Sequence, residues 1–580
     1  MSRFQPTEQQ QAALDAFATG EGVGISAGAG CGKTATLQMM AQSTRDRGLL
    51  LCFNRAVADE AAVKLRGTNT DAKNTHRIAY AWAMGDRQGR AALDKIRSTS
   101  RVRRDQTAKA LGISGWRHGE KEISIKTMTE LTVETMNNFM RSDADEITKE
   151  HLAYVKGLED PGVRGKGAVH RAVADQVVGY ARDMWKLAVE SSSTDIRVSH
   201  DVYLKLWALS KPQLPYSRIF LDECQDTNGA VFGVFDAQEA QKIFVGDANQ
   251  QLFAWNGSLN IMDRLTAPHR VHLTQSWRFG RAIEDSANVF LNMLDADIRL
   301  QGNPRILSRV EPGARFDPQK SSAVLARTNA GAVRALIEAQ NAGETAFLIG
   351  GAQEVIRLIQ EAEKLRQGRT TSHPDLIGFP SWGALKVYVN EDPDASDLKL
   401  IVELIEKFGA NTIVNNLNRT TEKEEDAQTV ISTVHKVKGR EWEQVRLAED
   451  FKSMVERASS RLSKARRERK PTRDGGFTRE ELMIAYVAVT RAKELLDPGD
   501  FQEQLADVIA ESAALRPQEP LGAPSVAPVE GGMSFRLSED IQGILGGIQS
   551  PTERDALVEQ ILREGLRSRQ LLNPMDELPF

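Results

Sequence analysis

Cysteine is scarce in this chain: Cys31, Cys52 and Cys224 are all it has in 580 residues. Three thiols cannot form a disulfide framework, which excludes the stapled secreted scaffolds and fits a reducing compartment. A basic excess is missing too, since 75 Lys and Arg stand against 79 Asp and Glu. No overall field therefore announces a nucleic-acid partner, although local patches can still bind one. No apolar run approaches the roughly 20 residues of a membrane helix. The opening MSRFQPTEQQQAALDAF holds no apolar stretch long enough for a signal peptide. A soluble cytoplasmic protein is expected. Internal repeats are absent, and the length calls for about three to five structural units rather than one core.

What is present is a rhythm of short apolar runs that end in glycine or acidic residues. GVGIS precedes Ala27, GLLLCF ends at Phe53, SRIFLDE at Glu223 and KIFVGD at Asp247. AVLART, AFLIGG and TVISTVH follow, to Thr328, Gly351 and His435. Most precede helical patterns, as parallel strands of α/β layers do. The rhythm stops from His76 to about residue 205, where a charged, helical insertion is predicted. A smaller one is expected at about 352–425, around DLKLIVELIEKF. After residue 512, RPQEPLGAPSVAPVEGG reads as a linker, and SPTERDALVEQILREGL beyond it reads as one amphipathic helix.

The residues that carry chemistry start at AGAGCGKT, 27–34, between a strand and the helical ATLQMMAQ. Backbone N–H groups of Gly28, Gly30 and Gly32 are expected to wrap phosphate oxygens, because no Cβ blocks the approach. Lys33 would reach the β- and γ-phosphates and the Thr34 hydroxyl would bind Mg²⁺. FLDECQD, 220–226, supplies Asp222 for the metal and Glu223 to polarise a water. VGDANQQLFAWNG, 245–257, sets polar Asn249 and Gln250 at one end and Phe253 and Trp255 at the other. That pairing suits a loop tying phosphate chemistry to base stacking; burial of both aromatics in a core is the competing reading.

With PTEQQQAAL, CFNRAVADEA, NTHRIAY, LTQSWRF (273–279), TVHKVKGREW (433–442) and ELMIAYVAVTRAKEL, these stretches resemble superfamily 1 DNA helicases of the UvrD/Rep type. The flavour is close to the F-box DNA helicase branch, without an F-box, and the likeness spans roughly residues 4–495. It implies an α/β fold of two RecA-like P-loop cores, parallel sheets flanked by helices, with mainly helical inserted subdomains. Core 1A, which binds ATP, would take 1–75 and 205–277, with helical insertion 1B at 76–204. Core 2A would take 278–351 and 426–511, with a reduced insertion 2B at 352–425. A flexible linker at 512–533 and a C-terminal helix and tip at 534–580 complete the division.

The resemblance also implies roles. Ala27, Gly28, Ala29, Gly30, Cys31, Gly32, Lys33 and Thr34 would hold ATP with Mg²⁺, with Gln10 on the adenine edge, Trp277 stacked on adenine and Glu441 on the ribose. Gln250 would sense the γ-phosphate, Arg278 would contact it, and Arg491 would act as an arginine finger. Phe53, Asn54, Thr75, His76, Phe253, Trp255, Thr433 and His435 would contact single-stranded DNA and junctions of single- and double-stranded DNA. Movement 3′-to-5′ in repair, recombination or replication is implied, in association with the nucleoid of a bacterium or with DNA in a virus-infected cell. Departures from the family pattern include Ala27 for Gly, Ala35 where Arg is common, and Glu481 where a basic residue is common.

Other features keep two readings. The basic stretches KIRSTSRVRRDQTAKALGISGWRHGEK and RLSKARRERKPTR suit either duplex contact or a solvated helical face. Cys31 and Cys224 are either redox-sensitive or small buried thiols. The last residues, Asp576 to Phe580, resemble the acidic tip of bacterial single-stranded-DNA-binding proteins, a docking peptide for a protein partner, or are a frayed end. Against the motor stands a nucleic-acid-sensing ATPase subunit of a larger complex, which signals without separating strands. An RNA-directed motor is a third reading.

Overall fold

The computed structural model describes residues 5–513 apart from 53–54, 119–120, 157, 159–165, 191–193, 253–260, 392–395 and 469–474. Phe53, Asn54, Phe253, Trp255, the linker and Asp576–Phe580 therefore lie outside the described residues. The first strands are β1 (Val23–Ala27), β2 (Gly48–Cys52) and β3 (Thr70–Asn74), then a small pair, β4 (Trp116–His118) and β5 (Lys121–Ile123). Next come β6 (Arg218–Leu221), β7 (Gln241–Gly246), β8 (His269–Leu273) and β9 (Arg309–Val310). The last are β10 (Ser322–Ala326), β11 (Ala346–Leu348), β12 (Thr429–Thr433), β13 (Trp442–Leu447) and β14 (Ala492–Asp497).

Two parallel sheets result, with orders β3-β2-β6-β7-β1-β8 and β11-β12-β10-β13-β14-β9. Helices cover their faces, so central strands are apolar at successive positions rather than alternately. GLLLC in β2 is buried at all five residues. The loops after β1, β6 and β7 leave neighbouring strands at the same carboxyl end of the first sheet, the end where open parallel sheets bind ligands.

The helical run between β3 and β6 starts at Thr75 and continues through helix His200–Leu209, past the expected limit of 204. It also holds the β4–β5 hairpin, which helical periodicity did not foresee. The basic stretch there folds into helices Arg87–Ser98 and Arg104–Ala110 and then into β4. The second insertion is helical, from Gln353–Arg366 to Ala410–Asn418. It touches the first: the Thr127 hydroxyl donates to the Ile377 carbonyl at 3.3 Å, and Lys156 lies 3.6 Å from Asp375.

One apolar core runs through both sheets, from Phe17 and Ile25 through Phe279 and Phe290 to Tyr486 and Phe501. Helix Arg479–Val489 lies in it, buried at every residue from Glu481 to Val489. Its N-terminus is fixed by a capping box, Thr478 with Glu481. The Glu481 carboxylate also receives Arg457 at 2.6 Å and Arg461 at 2.7 Å from the preceding long helix. Burial opposes its ionisation, but the hydrogen bond from Arg461 and the charge of Arg457 outweigh burial and pull the carboxyl down to about 2.

The Glu481 cluster gives a stability prediction. A carboxyl whose folded pKa lies below the unfolded value of about 4.3 contributes stability above that value, and the contribution fades as pH falls toward about 2. Glu481→Gln is expected to lower unfolding free energy by roughly 3 kcal/mol at neutral pH, because the buried Arg457 and the partly buried Arg461 lose their anionic partner. Urea midpoints of parent and variant should draw together as pH falls from about 4.5 toward about 2. A gap that stays constant with pH removes the ion-pair explanation.

Candidate active site

The loop after β1 turns through Gly30, φ +73°, and Gly32, φ +79°, into helix Lys33–Gln42. A Cβ on Gly30 would lie 2.7 Å from both Arg278 Cβ and Ser276 Oγ, so this glycine is required by the segment 276–278 crossing over it. The Gly30 carbonyl accepts the Trp277 N–H at 2.9 Å. One expectation needs correcting. The Gly28 N–H does not face a phosphate position but donates to the Leu273 carbonyl of β8 at 3.1 Å, closing the sheet edge. The Ala29 N–H is likewise engaged, donating to the Tyr486 hydroxyl at 3.2 Å. An anion at this loop would meet the turn from Gly30 onward and the first turn of the helix rather than Gly28.

Lys33 Nζ sits 2.9 Å from both oxygens of Glu223. Glu223 adopts φ +49°, a left-handed conformation that costs a side chain about 1–3 kcal/mol. It stands two residues beyond the end of β6, and its carboxylate also accepts the Gln225 amide at 2.6 Å. Burial and the neighbouring Glu223 charge raise the Asp222 carboxyl above its ordinary value. Burial acts the same way on Glu223, but Lys33 and Lys438 overcome it and hold that carboxyl down. Two adjacent carboxyls are thereby driven apart, Glu223 to the firmly ionised side, the state a base needs. Lys33 is raised, since burial is more than offset by Glu223, Asp222 and Asp247.

Across from these residues the second sheet and its helices contribute a set of cations. Arg491 is 2% exposed, with Nη2 3.2 Å from the Gln250 amide oxygen and Nε on the Val487 carbonyl. Burial and the neighbouring Arg278 charge lower its pKa to about 9, so it stays charged at neutral pH. Lys438 pairs with Asp226 and donates to the Gln250 carbonyl at 2.9 Å. Arg278 donates to the Thr490 carbonyl at 2.9 Å and pairs with Glu441, which also receives Lys493 at 2.8 Å. Glu441 is thus placed in an ion-pair bridge beside Arg278.

Tyr486 was not singled out from the sequence, nor was Asp247, and both are central. The Tyr486 hydroxyl donates to Asp247 Oδ2 at 2.9 Å while accepting from Ala29. The Gln250 amide donates to the same oxygen at 2.6 Å, and the Asn249 N–H to Oδ1 at 3.0 Å. A continuous chain therefore runs from the phosphate loop through Tyr486, Asp247 and Gln250 to Arg491. Tyr486 stands within the quoted AYVAVTR run, and Asp247 within VGDANQ, but only the fold shows that they meet.

The other expected residues are placed as follows. Trp277 is 53% exposed and borders Gly32, where a flat ring is open to a base. Gln10 is buried; its oxygen accepts the Thr7 N–H at 3.0 Å and its nitrogen donates to the Thr36 hydroxyl at 3.3 Å. Thr34 is half-buried in the first turn of its helix. Thr75 and His76 follow β3, Thr433 is the last residue of β12 and His435 lies just beyond it, so both pairs stand at carboxyl ends of strands. Burial lowers the pKa of both histidines. Cys31 is pushed up to about 12 by burial and the Asp247 charge, and burial also raises Cys224, which disfavours the reactive thiolate in each.

A family model described as an AAA domain matches residues 9–255, and the UvrD-like helicase C-terminal domain matches 319–497. The F-box DNA helicase protein 1 of Schizosaccharomyces pombe is 25% identical over 511 residues, covering 82% of this chain and 55% of that protein. The F-box DNA helicase 1 of Gallus gallus is 27% identical over 525 residues, covering 86% and 49%. The chain spans about half the length of these relatives. The solved structure of PRRSV helicase overlays with a TM-score of 0.29 at 12% identity, over 86% of this chain and 56% of that one, too loosely to inform the fold.

The Tyr486 link makes a prediction about ATP hydrolysis. Tyr486→Phe keeps the ring and removes the hydroxyl that joins Ala29 to Asp247. Hydrogen bonds to charged groups contribute about 1.5–3 kcal/mol, so kcat is expected to fall at least about tenfold. Affinity for a fluorescent ATP analogue should stay within about threefold, since no phosphate contact is removed. Weakened nucleotide binding with kcat unchanged would instead mean that Tyr486 only supports the loop.

Proposed function

The chain belongs to the UvrD-like superfamily 1 helicases, and from that premise we propose that it is an ATP-driven motor that moves 3′-to-5′ on single-stranded DNA in repair, recombination or replication. The observation carrying this reading is the direct joint between the two sheets, where Arg491 meets Gln250 and Tyr486 meets the phosphate loop. Direction follows the family resemblance, and DNA as the track follows the resemblance and the relatives' names.

The chemistry proceeds from the charges described. A terminal phosphate at Lys33 is a second anion on an ammonium already shared by both Glu223 oxygens. Binding therefore loosens the Lys33–Glu223 pair and leaves Glu223 available to accept a proton from the attacking water. Arg491 is held charged in a buried position, so negative charge developing on the transferred phosphoryl offsets its desolvation. Gln250 reports that change to the loop that continues toward Phe253 and Trp255.

Mg²⁺ fits the oxygen donors present, the Asp222 carboxylate and the Thr34 hydroxyl, and would neutralise charge on the phosphates. Burial and the adjacent Glu223 charge raise the Asp222 carboxyl, and a cation beside it would favour its ionised form. Among the described residues no group of three or more His, Cys, Asp or Glu forms a metal cage. A Mg²⁺ here would be held by one carboxylate together with substrate phosphates.

Steady-state ATP hydrolysis without nucleic acid and with single-stranded DNA, duplex DNA or RNA tests the proposal. Strong stimulation by single-stranded DNA is expected, abolished in Lys33→Ala. Arg491→Ala should lower kcat by about 1,000-fold, the lower range for an arginine finger. Displacement of a strand from a duplex with a 3′ tail, and not a 5′ tail, should give the polarity. Hydrolysis indifferent to every nucleic acid would sink the motor and leave an ATPase triggered by a protein.

A further inference from the structure

Gln225 lies two residues beyond Glu223, in the short turn Cys224–Asp226, and is 0% exposed. A side-chain amide shut away from water must find partners for both ends or cost stability. Here both ends are used. Nε2 donates to Glu223 Oε2 at 2.6 Å, and Oε1 accepts the Asp247 N–H at 3.1 Å. The partners also fix which end is which, because a carboxylate takes a donor and a backbone N–H takes an acceptor.

Side chains of similar size cannot make this bridge. Glutamate would set a second carboxylate against Glu223, and methionine would leave the buried Asp247 N–H without an acceptor. The surroundings are shaped for the amide as well. A Cβ on Gly246, the last residue of β7, would lie 2.4 Å from Gln225 Oε1 and 2.7 Å from Cys224 Sγ. Glycine at that position lets the amide cross from the loop after β6 to the backbone after β7. Buried Cys224 and Met262 stand beside the same glycine and leave the amide little freedom to turn.

The bridge matters because of what it holds. Among the described residues two side chains donate to the Glu223 carboxylate, Lys33 and Gln225. In the proposed chemistry a terminal phosphate draws Lys33 away, so Gln225 is the donor that stays. Glu223 has φ +49°, a strained backbone that its surroundings must hold in place. The far end of the amide rests on Asp247, whose carboxylate takes Tyr486 from the helix of the second sheet and Gln250 from its own turn. The orientation of Glu223 is thereby tied to the residue at which the two sheets meet.

We propose that Gln225 is the positioning residue of the general base: its amide keeps the Glu223 carboxylate aimed at the attacking water once Lys33 has turned to the phosphate, and anchors that aim on the backbone of Asp247. This rests on the reading of Glu223 as the base and adds how the base is held. A reacting group displaced by about 1 Å costs roughly 100-fold in rate, so a base released by Gln225 is slow even with ATP bound normally.

Hydrolysis of saturating radiolabelled ATP by the full chain with oligothymidylate tests it, in the parent and in a Glu223→Ala background. Gln225→Met conserves volume and removes both hydrogen bonds. Its kcat is expected to fall about 10- to 150-fold, the range for losing a hydrogen bond to a charged group. Affinity for a fluorescent ATP analogue should stay within about threefold. In Glu223→Ala, where no base remains to be held, adding Gln225→Met should change the residual rate less than about twofold. Gln225→Asn, polar but too short to reach both partners, should repeat the loss, and it carries the test if Gln225→Met does not fold. An undiminished kcat overturns the positioning role and leaves the base reading intact. So does an equal loss in both backgrounds, or weakened analogue binding with kcat kept, either of which marks a residue that only packs the loop. Glu223→Ala with the kcat of the parent overturns the base reading and the positioning role together.

Discussion

The Asp247 carboxylate is the group on which the joint between the two sheets depends. It is fully buried, and its partners come from both sides: Asn249 and Gln250 from its own turn, Tyr486 from the helix of the second sheet. A buried carboxylate left without donors costs several kcal/mol, so these bonds are kept or exchanged together rather than lost one by one. Lys438 reinforces the arrangement from the second sheet, pairing with Asp226 and reaching the Gln250 carbonyl. Several bonds at this joint therefore bear on the short turn Ala248–Gln250 or on the phosphate loop, beside those that Arg278 makes to the Thr490 carbonyl and to Glu441.

Position in the chain explains which parts of this were legible. The strands were, because parallel strands covered on both faces are short apolar runs whose limits are set by the glycine or carboxylate that follows. Lys33, Asp222 and Glu223 were too, since each sits within a few residues of the strand end that places it. Tyr486 and Lys438 were not. Their partners lie 239 and 212 residues away, and a tyrosine on an apolar helix has the same spacing whether its hydroxyl is structural or joins two domains. The Gly28 N–H was misjudged for a related reason: only the pairing of β1 with β8 shows that Leu273 takes it. The β4–β5 hairpin joins strands of three residues, too short for alternation to register.

Glu481 shows how one departure from the family pattern is compensated locally. Where a basic residue is common, this chain has an acid, and the preceding helix answers with Arg457 and Arg461. The acid also completes the cap of helix Arg479–Val489. The helix that reaches the nucleotide loops is thus anchored at its start by ion pairs and along its length by apolar packing. Such an element moves as a body, since bending it would expose a continuous buried face.

That rigidity decides how Tyr486 and Arg491 act together. Tyr486 belongs to the helix and Arg491 follows its last turn, with Arg491 Nε held on the Val487 carbonyl. The tyrosine touches the phosphate loop through Ala29, and the arginine touches Gln250. A shift of the helix that brings Arg491 onto a phosphoryl oxygen must also move the Tyr486 hydroxyl relative to Asp247 and Ala29. Charge stabilisation in one sheet and loop geometry in the other are then a single coordinate, and the turn carrying Gln250 has to follow it. Because packed joints of this kind switch between discrete arrangements rather than deforming smoothly, hydrolysis in the proposed motor would be coupled to the relative position of the two sheets by the same hydrogen bonds that join them.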